Sequence, residues 1–166
     1  MLTAEQIIKL LDLRPLPMEG GLYRETYRSR EKIPSAALPD RYRADKSFCT
    51  AIYYLLAPGA CSRLHRLPTD EIFHFHLGDA AEMLQLHPDG RSEIVPIGPD
   101  IAAGQRLQAV VPRGTWQGCL LKQGGRFALM SVTIAPGFDF ADYEQADRKA
   151  LIRQYPDRAE MIRKLT

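Results

Sequence analysis

The stretch Gly59-Ala60-Cys61-Ser62-Arg63-Leu64-His65-Arg66-Leu67-Pro68-Thr69-Asp70-Glu71-Ile72-Phe73-His74-Phe75-His76-Leu77-Gly78 holds three of the chain's four histidines and its densest set of reactive side chains. Its second half, 71–77, is rich in aromatic residues and has the length of a strand. Similar runs recur at intervals of about ten residues, at 48–56, 81–86, 92–97, 108–111, 115–121 and 127–134. Turn chemistry separates them: Pro58-Gly59, Pro88-Asp89-Gly90, Gly98-Pro99-Asp100 and Gly124-Gly125. Many short, evenly spaced strands predict an all-β sandwich or barrel rather than alternating strand–helix units.

The flanks read differently. Thr3 and Gln6 have capping-box spacing, and Ile7, Ile8, Leu10 and Leu11 form an apolar stripe, which predicts a helix over 3–12. Pro15 and Pro17 end it. Over 23–29 the period drops to two, with Tyr23, Glu25 and Tyr27 on one face. Residues 30–46 are polar, contain Pro34 and Pro39, and read as a loop. Beyond Pro136-Gly137 the pattern predicts two short helices within 143–165, the second starting at Pro156. The expected organisation is one domain over 1–166, with the barrel over about 20–140.

Composition narrows the function classes. Lysine and arginine number 22 against 20 acidic residues, and the signs are interspersed, so no basic cluster marks a nucleic-acid or anionic-membrane partner. No apolar run approaches the length of about 20 residues that a membrane helix requires. The opening MLTAEQIIKLLDL lacks the basic segment and apolar core of a signal peptide. Cys49, Cys61 and Cys119 are odd in number and lack CxxC spacing, which points to free thiols in a reducing, cytoplasmic setting.

Gly59, His65, Glu71 and Gly78 resemble the first motif of the cupin superfamily, with Leu67 in place of its second histidine. Gly104 and Pro112-Arg113-Gly114 resemble the second motif, with Gln117 in place of its histidine. A narrower resemblance, to the cupin-five family of unknown function, rests on strings across most of the chain. They are Glu19-Gly20-Gly21-Leu22-Tyr23-Arg24-Glu25-Thr26-Tyr27-Arg28, His65-Arg66-Leu67, Asp70-Glu71-Ile72-Phe73-His74-Phe75, Val111-Pro112-Arg113-Gly114-Thr115-Trp116-Gln117 and Ala135-Pro136-Gly137-Phe138-Asp139-Phe140. The resemblance implies an all-β cupin double-stranded β-helix, a jelly-roll barrel with short N- and C-terminal helices, commonly dimeric, with one internal pocket. It implies little about reaction, because one fold hosts many chemistries.

For a divalent metal ion, the implied ligand frame is His65, Glu71 and Gln117, a weak set because an amide replaces an imidazole and Leu67 contributes nothing. If Glu71 faces inward, strand alternation sends Phe73, Phe75 and Leu77 inward and Ile72, His74 and His76 outward, unless a bulge intervenes. His65 and Glu71 are the candidate catalytic pair. Gln117, Glu25, Phe73, His74, Tyr53 and Ser62 are candidates for ligand contact. Each has a plainer reading: His65 as a structural histidine fixing the turn after Gly59, Glu71 as the partner of Arg63 or Arg66, and Phe73, Phe75 and Trp116 as core packing. His87, beside Pro88-Asp89-Gly90, reads as a turn histidine.

Three functions compete. One is a metal-independent enzyme in which His65 transfers protons and Glu71 orients it, as in an epimerase or isomerase acting on a sugar derivative or small metabolite. Another is a metal-dependent oxygenase or isomerase built on His65, Glu71 and Gln117. The last is a protein that binds a small molecule without converting it. Exposed sheet edges favour a symmetric homodimer.

Overall fold

The computed structural model describes residues 2–166. Helix α1 (Ala4–Leu10) begins as its sequence predicts: the Thr3 hydroxyl accepts from the Gln6 N–H, and the Gln6 side chain accepts from the Thr3 N–H. A two-residue strand, β1 (Arg14–Pro15), pairs with β2 (Leu22–Arg28). The polar segment after it contains its own small ladder, β3 (Lys32–Ile33) with β4 (Lys46–Ser47), and one 3-10 turn at Ser35–Ala37. Then come β5 (Thr50–Leu56), β6 (Cys61–Arg66) and β7 (Glu71–Gly78). Next are β8 (Ala81–Leu86), β9 (Ser92–Ile97), β10 (Gln108–Val111), β11 (Trp116–Leu121) and β12 (Ala128–Ile134). The tail adds β13 (Glu144–Gln145), α2 (Arg148–Gln154) and α3 (Ala159–Lys164).

The long strands form two antiparallel sheets. One has the order β1-β2-β5-β12-β7-β10, the other β13-β6-β11-β8-β9. Their inner faces meet in one core. Tyr54, Leu56, Phe73, Met130 and Val132 from the first sheet pack with Ala81, Met83, Val95, Ile97 and Cys119 from the second. The alternation on β12 is clean: Met130, Val132 and Ile134 are buried, while Ser131 and Thr133 are half-buried.

Helices cover parts of the outer faces. Ile7 of α1 and nearby Leu13 pack on Leu55, Phe127 and Leu129. On the other side, Leu151, Tyr155, Ile162 and Leu165 cover Leu64, Leu84 and Leu86. His87 is more than a turn residue. It is buried, its ring contacts Glu93 and Thr115, and its carbonyl accepts the Tyr155 hydroxyl at 2.6 Å, tying the barrel to α2.

Two expectations need correction. The first C-terminal helix starts at Arg148, not at 143, because the Asp147 carboxylate accepts from the Ala150 N–H and caps it there. Glu144–Gln145 instead add an edge to β6. Leu77 faces outward, not inward, because a bulge places His76 between the register partners Phe75↔Met130 and Leu77↔Leu129. Leu77 is consequently 49% exposed.

Candidate functional site

Between the sheets, beside the packed core, lies a cavity of about 250 Å³. Its floor is polar. β6 and β11 pair so that His65 stands directly opposite Gln117, and the Gln117 Nε2 lies 3.0 Å from His65 Nε2. This register depends on an irregularity between Gln117 and Cys119, where the strands approach closely at Gly118. A Cβ at Gly118 would meet the Ser62 carbonyl oxygen at 2.7 Å, so only glycine fits without movement.

His65 Nδ1 lies 2.7 Å from the Arg63 carbonyl oxygen, which only accepts. Nδ1 therefore carries a hydrogen, and Nε2 accepts from Gln117 in the neutral ring. The same Gln117 nitrogen donates to Glu71 Oε1 at 3.3 Å, so its two hydrogens serve an imidazole and a carboxyl. The Gln117 carbonyl oxygen is buried without a partner among the described residues. His65, Glu71 and Gln117 are all buried, with exposures of 1%, 4% and 0%.

Burial pushes the Glu71 carboxyl up to about 7, the His65 ring opposes that rise, and the charge of Glu19 adds to it. Glu19 was not legible as a site residue. It sits in the turn before β2, where its Oε1 accepts from the Ser62 hydroxyl at 2.8 Å and its Oε2 lies 3.8 Å from His65 Nε2. Two glycines bring it there: Gly20 has φ +91° and Gly21 φ +70°, and a Cβ on Gly20 would stand 2.5 Å from the Cys61 carbonyl oxygen.

Tyr143 is the second residue that the sequence pattern hides. Pairing of β13 with β6 places its ring on His65, 4.8 Å between centroids and 25° between planes. Its hydroxyl is buried with no partner among the described residues, and burial, with Glu19 next, pushes its pKa up to about 12. The phenol thus keeps its hydrogen.

Arg28, at the mouth, is the third. A bulge between Glu25 and Tyr27 breaks the alternation of β2, so Arg28, and not Tyr27, joins Tyr23 and Glu25 on the cavity wall. Tyr27 is 53% exposed. Arg28 Nε and Nη2 donate to the Glu25 carboxylate at 3.0 and 2.7 Å, and Nη1 donates to the Phe138 carbonyl. Phe138 and Phe140 close that side, anchored where the Phe138 N–H donates to the Thr50 hydroxyl.

The structure thus brings His65, Glu71, Gln117, Glu25 and Phe73 to one cavity or its floor, and leaves other candidates elsewhere. Tyr53 projects from the opposite face of β5, edge-on to His76 near α1. His74 lies on the outer face of β7, its Nδ1 3.2 Å from Gln108 Nε2. Ser62 does not line the cavity and acts by holding Glu19. Arg66 pairs with Glu144 and stacks over Trp116, so it is no partner for Glu71.

A metal does not suit this donor set. Leu67 puts buried hydrocarbon on the wall where a second imidazole would stand. Gln117 turns N–H donors toward His65 and Glu71, and in either orientation a neutral amide is a weak ligand in place of an imidazole. Among the described residues no group of three or more His, Cys, Asp or Glu is arranged to hold an ion.

Two facing antiparallel sheets with short helices outside, enclosing one polar-floored cavity, define a cupin barrel. The chain belongs to the cupin superfamily family DUF985, whose model matches residues 5–146. It is 34% identical to protein SO0799 of Shewanella oneidensis, with a TM-score of 0.87 over 100% of this chain and 98% of that one. A hypothetical protein from Leishmania major is 31% identical, with a TM-score of 0.86 and 99% of both chains covered. The uncharacterized yeast protein YML079W (Saccharomyces cerevisiae) is 29% identical over 133 residues, 75% of this chain and 66% of the relative, just under two thirds of its length. Oxalate decarboxylase from Bacillus subtilis shares the fold alone: 18% identity and a TM-score of 0.55 over 94% of this chain and 37% of that one.

Proposed function

We propose that the cavity receives a small molecule and that His65 and Glu71 move protons on it without a metal ion. The observation that carries this reading is the floor itself. A carboxyl group with a pKa of about 7 is joined through one amide to a buried imidazole whose tautomer is fixed. Near neutral pH Glu71 is divided between acid and base, so it can either give or take a proton. A ligand atom that replaces Gln117 at His65 Nε2 gains the imidazole as its base. The fitting reaction class is that of an epimerase or isomerase, which removes a proton from a carbon and returns one to the opposite face of that carbon or to a neighbouring atom. A sugar derivative or a metabolite of similar size suits the cavity of about 250 Å³.

Incubation with candidate metabolites in heavy water tests this. Proton transfer leaves deuterium in the recovered compound, read by mass spectrometry. His65→Ala should lower incorporation by about 10²–10⁴-fold, and unchanged incorporation would refute the role of His65. A compound that binds tightly yet never exchanges would mark the chain as a receptor instead.

We also propose that the protein works as a homodimer in the cytoplasm. Leu77, Leu107 and Val110 are exposed at 49%, 47% and 50% on or beside β7 and the edge strand β10, a surface suited to a second copy. All three cysteines are free, as a reducing compartment favours. No helix among the described residues is long and apolar enough to cross a membrane. Light scattering that returns the mass of a single chain would sink the dimer.

A further inference from the structure

From the distribution of charge around the cavity we infer that its ligand carries a protonated amine on a compact apolar body, seated with the nitrogen against Glu19 and Glu71. This deepens the proposed function and rests on its claim that the cavity binds a small molecule; of the ligands named there it selects a small amine metabolite over a polyhydroxylated sugar.

Three carboxyl side chains line the cavity, Glu19, Glu25 and Glu71, against a single guanidinium, Arg28. The guanidinium is already committed. Its Nε and Nη2 hold Glu25 and its Nη1 holds the Phe138 carbonyl, so the mouth is an internally neutral pair. Both members are partly exposed, with side-chain exposures of 42% and 40%.

The floor differs. Glu19 and Glu71 lie there with side chains far less exposed, and no lysine or arginine among the described residues lines it. The protein's own donors reach one oxygen of each: Ser62 serves Glu19 Oε1 and Gln117 serves Glu71 Oε1. Glu19 Oε2 is 3.8 Å from His65 Nε2, beyond hydrogen-bond reach. The charge of Glu19 disfavours ionisation of Glu71, while the His65 ring, the one floor group able to carry positive charge, favours it. A cation placed against both relieves that repulsion and supplies the missing donors, whereas a phosphate or carboxylate ligand would add to it.

The walls above the floor are apolar and aromatic: Ile52, Phe73, Val132, Phe138 and Tyr23. They suit a hydrocarbon body, and their ring faces also tolerate a nearby ammonium. Recognition by charge at the bottom and hydrocarbon along the sides thus excludes nucleotide-linked and other phosphorylated ligands.

Three probes share one ring and differ only in the head group: cyclohexylamine, cyclohexanol and cyclohexanecarboxylate. Titration of the full chain at pH 7.5, followed by calorimetry and amide chemical shifts, should rank the amine first. We expect binding about tenfold tighter than the alcohol, the effect of one charge-assisted contact, and none measurable for the carboxylate. Glu19→Gln should weaken the amine by a similar factor and leave the alcohol unchanged. If the alcohol or the carboxylate binds as well as the amine, the charge inference falls while the cavity still counts as a binding site. Amine binding that ignores Glu19→Gln also overturns it. If no probe binds, the small-molecule reading of the cavity fails with it. Should Glu19→Gln fail to fold, the ranking of the three probes on the unaltered protein decides the question alone.

Discussion

The space between the two sheets has two ends built on opposite rules. At one end Leu56, Met83, Val95, Ile97, Cys119 and Met130 meet with almost no exposure, and the buried Gln85 amide beside Met83 is satisfied by the Met83 sulfur and the Val110 carbonyl. At the other, His65, Glu71 and Gln117 are just as buried, yet three polar side chains share two hydrogen bonds, and one amide oxygen has no partner. Close packing stabilises the first end; the second retains unmet hydrogen-bonding capacity. The same strands supply both. β5 gives Leu56 to the closed end and Thr50 to the open one, while β7 gives Phe75 to the closed end and Glu71 to the open one. Stability and chemistry are thus separated along each strand rather than between strands.

The sharpest way to break this contrast is to cut the closed end. Leu56→Ala should cost about 2–5 kcal/mol in chemical denaturation, and a loss below about 1 kcal/mol would mean that this end is not close-packed. Next comes the pH response of the open end. Glu71 has a folded pKa of about 7 against 4.5 for the free group, so between those values the folded state holds more protons than the unfolded one. Stability contributed by the protonated carboxyl is therefore fully present below about pH 4.5 and lost as pH rises through 7, on the order of 3 kcal/mol in all. Thermal unfolding from pH 5 to pH 8 should show this decline, and Glu71→Gln should flatten it. A decline of equal size in the variant would place the titrating group elsewhere.

The smallest effect is the most discriminating. Tyr143→Phe removes a buried hydroxyl with no partner, so stability should change by less than about 1 kcal/mol or rise slightly. A larger loss would show that the phenol does make a bond, and with it that the open end is better satisfied than described. Elemental analysis of protein purified without added metal completes the set: the donor geometry predicts well under one equivalent per chain.

Much of the closed end was legible beforehand. The strands at Ala81–Leu86, Ser92–Ile97 and Gln108–Val111 lie where spacing and turns put them, because regular alternation and Gly or Pro breaks operate locally. β6 escaped that reading because its register against β11 shifts, which erases a clean period of two. β1, β3, β4 and β13 have two residues each, too few to carry a pattern. Among the site residues, His65, Glu71 and Gln117 sit on a motif frame and could be named from it. Glu19 arrives through a glycine turn, Arg28 through a bulge and Tyr143 through an edge pairing. Each of these depends on contacts distant in sequence, which no local pattern encodes.

One consequence follows from the way Gln117 is held. Its nitrogen faces both neighbours and its oxygen faces none, yet the two ends of an amide are nearly the same size. Should a guest leave a hydrogen on the imidazole or on the acid, half a revolution about the terminal bond of this side chain offers an acceptor in place of a donor. The backbone need not shift at all. A residue that looks like a blunt replacement for histidine would then serve as a reversible adaptor, letting the hollow keep its shape through both halves of a reaction cycle.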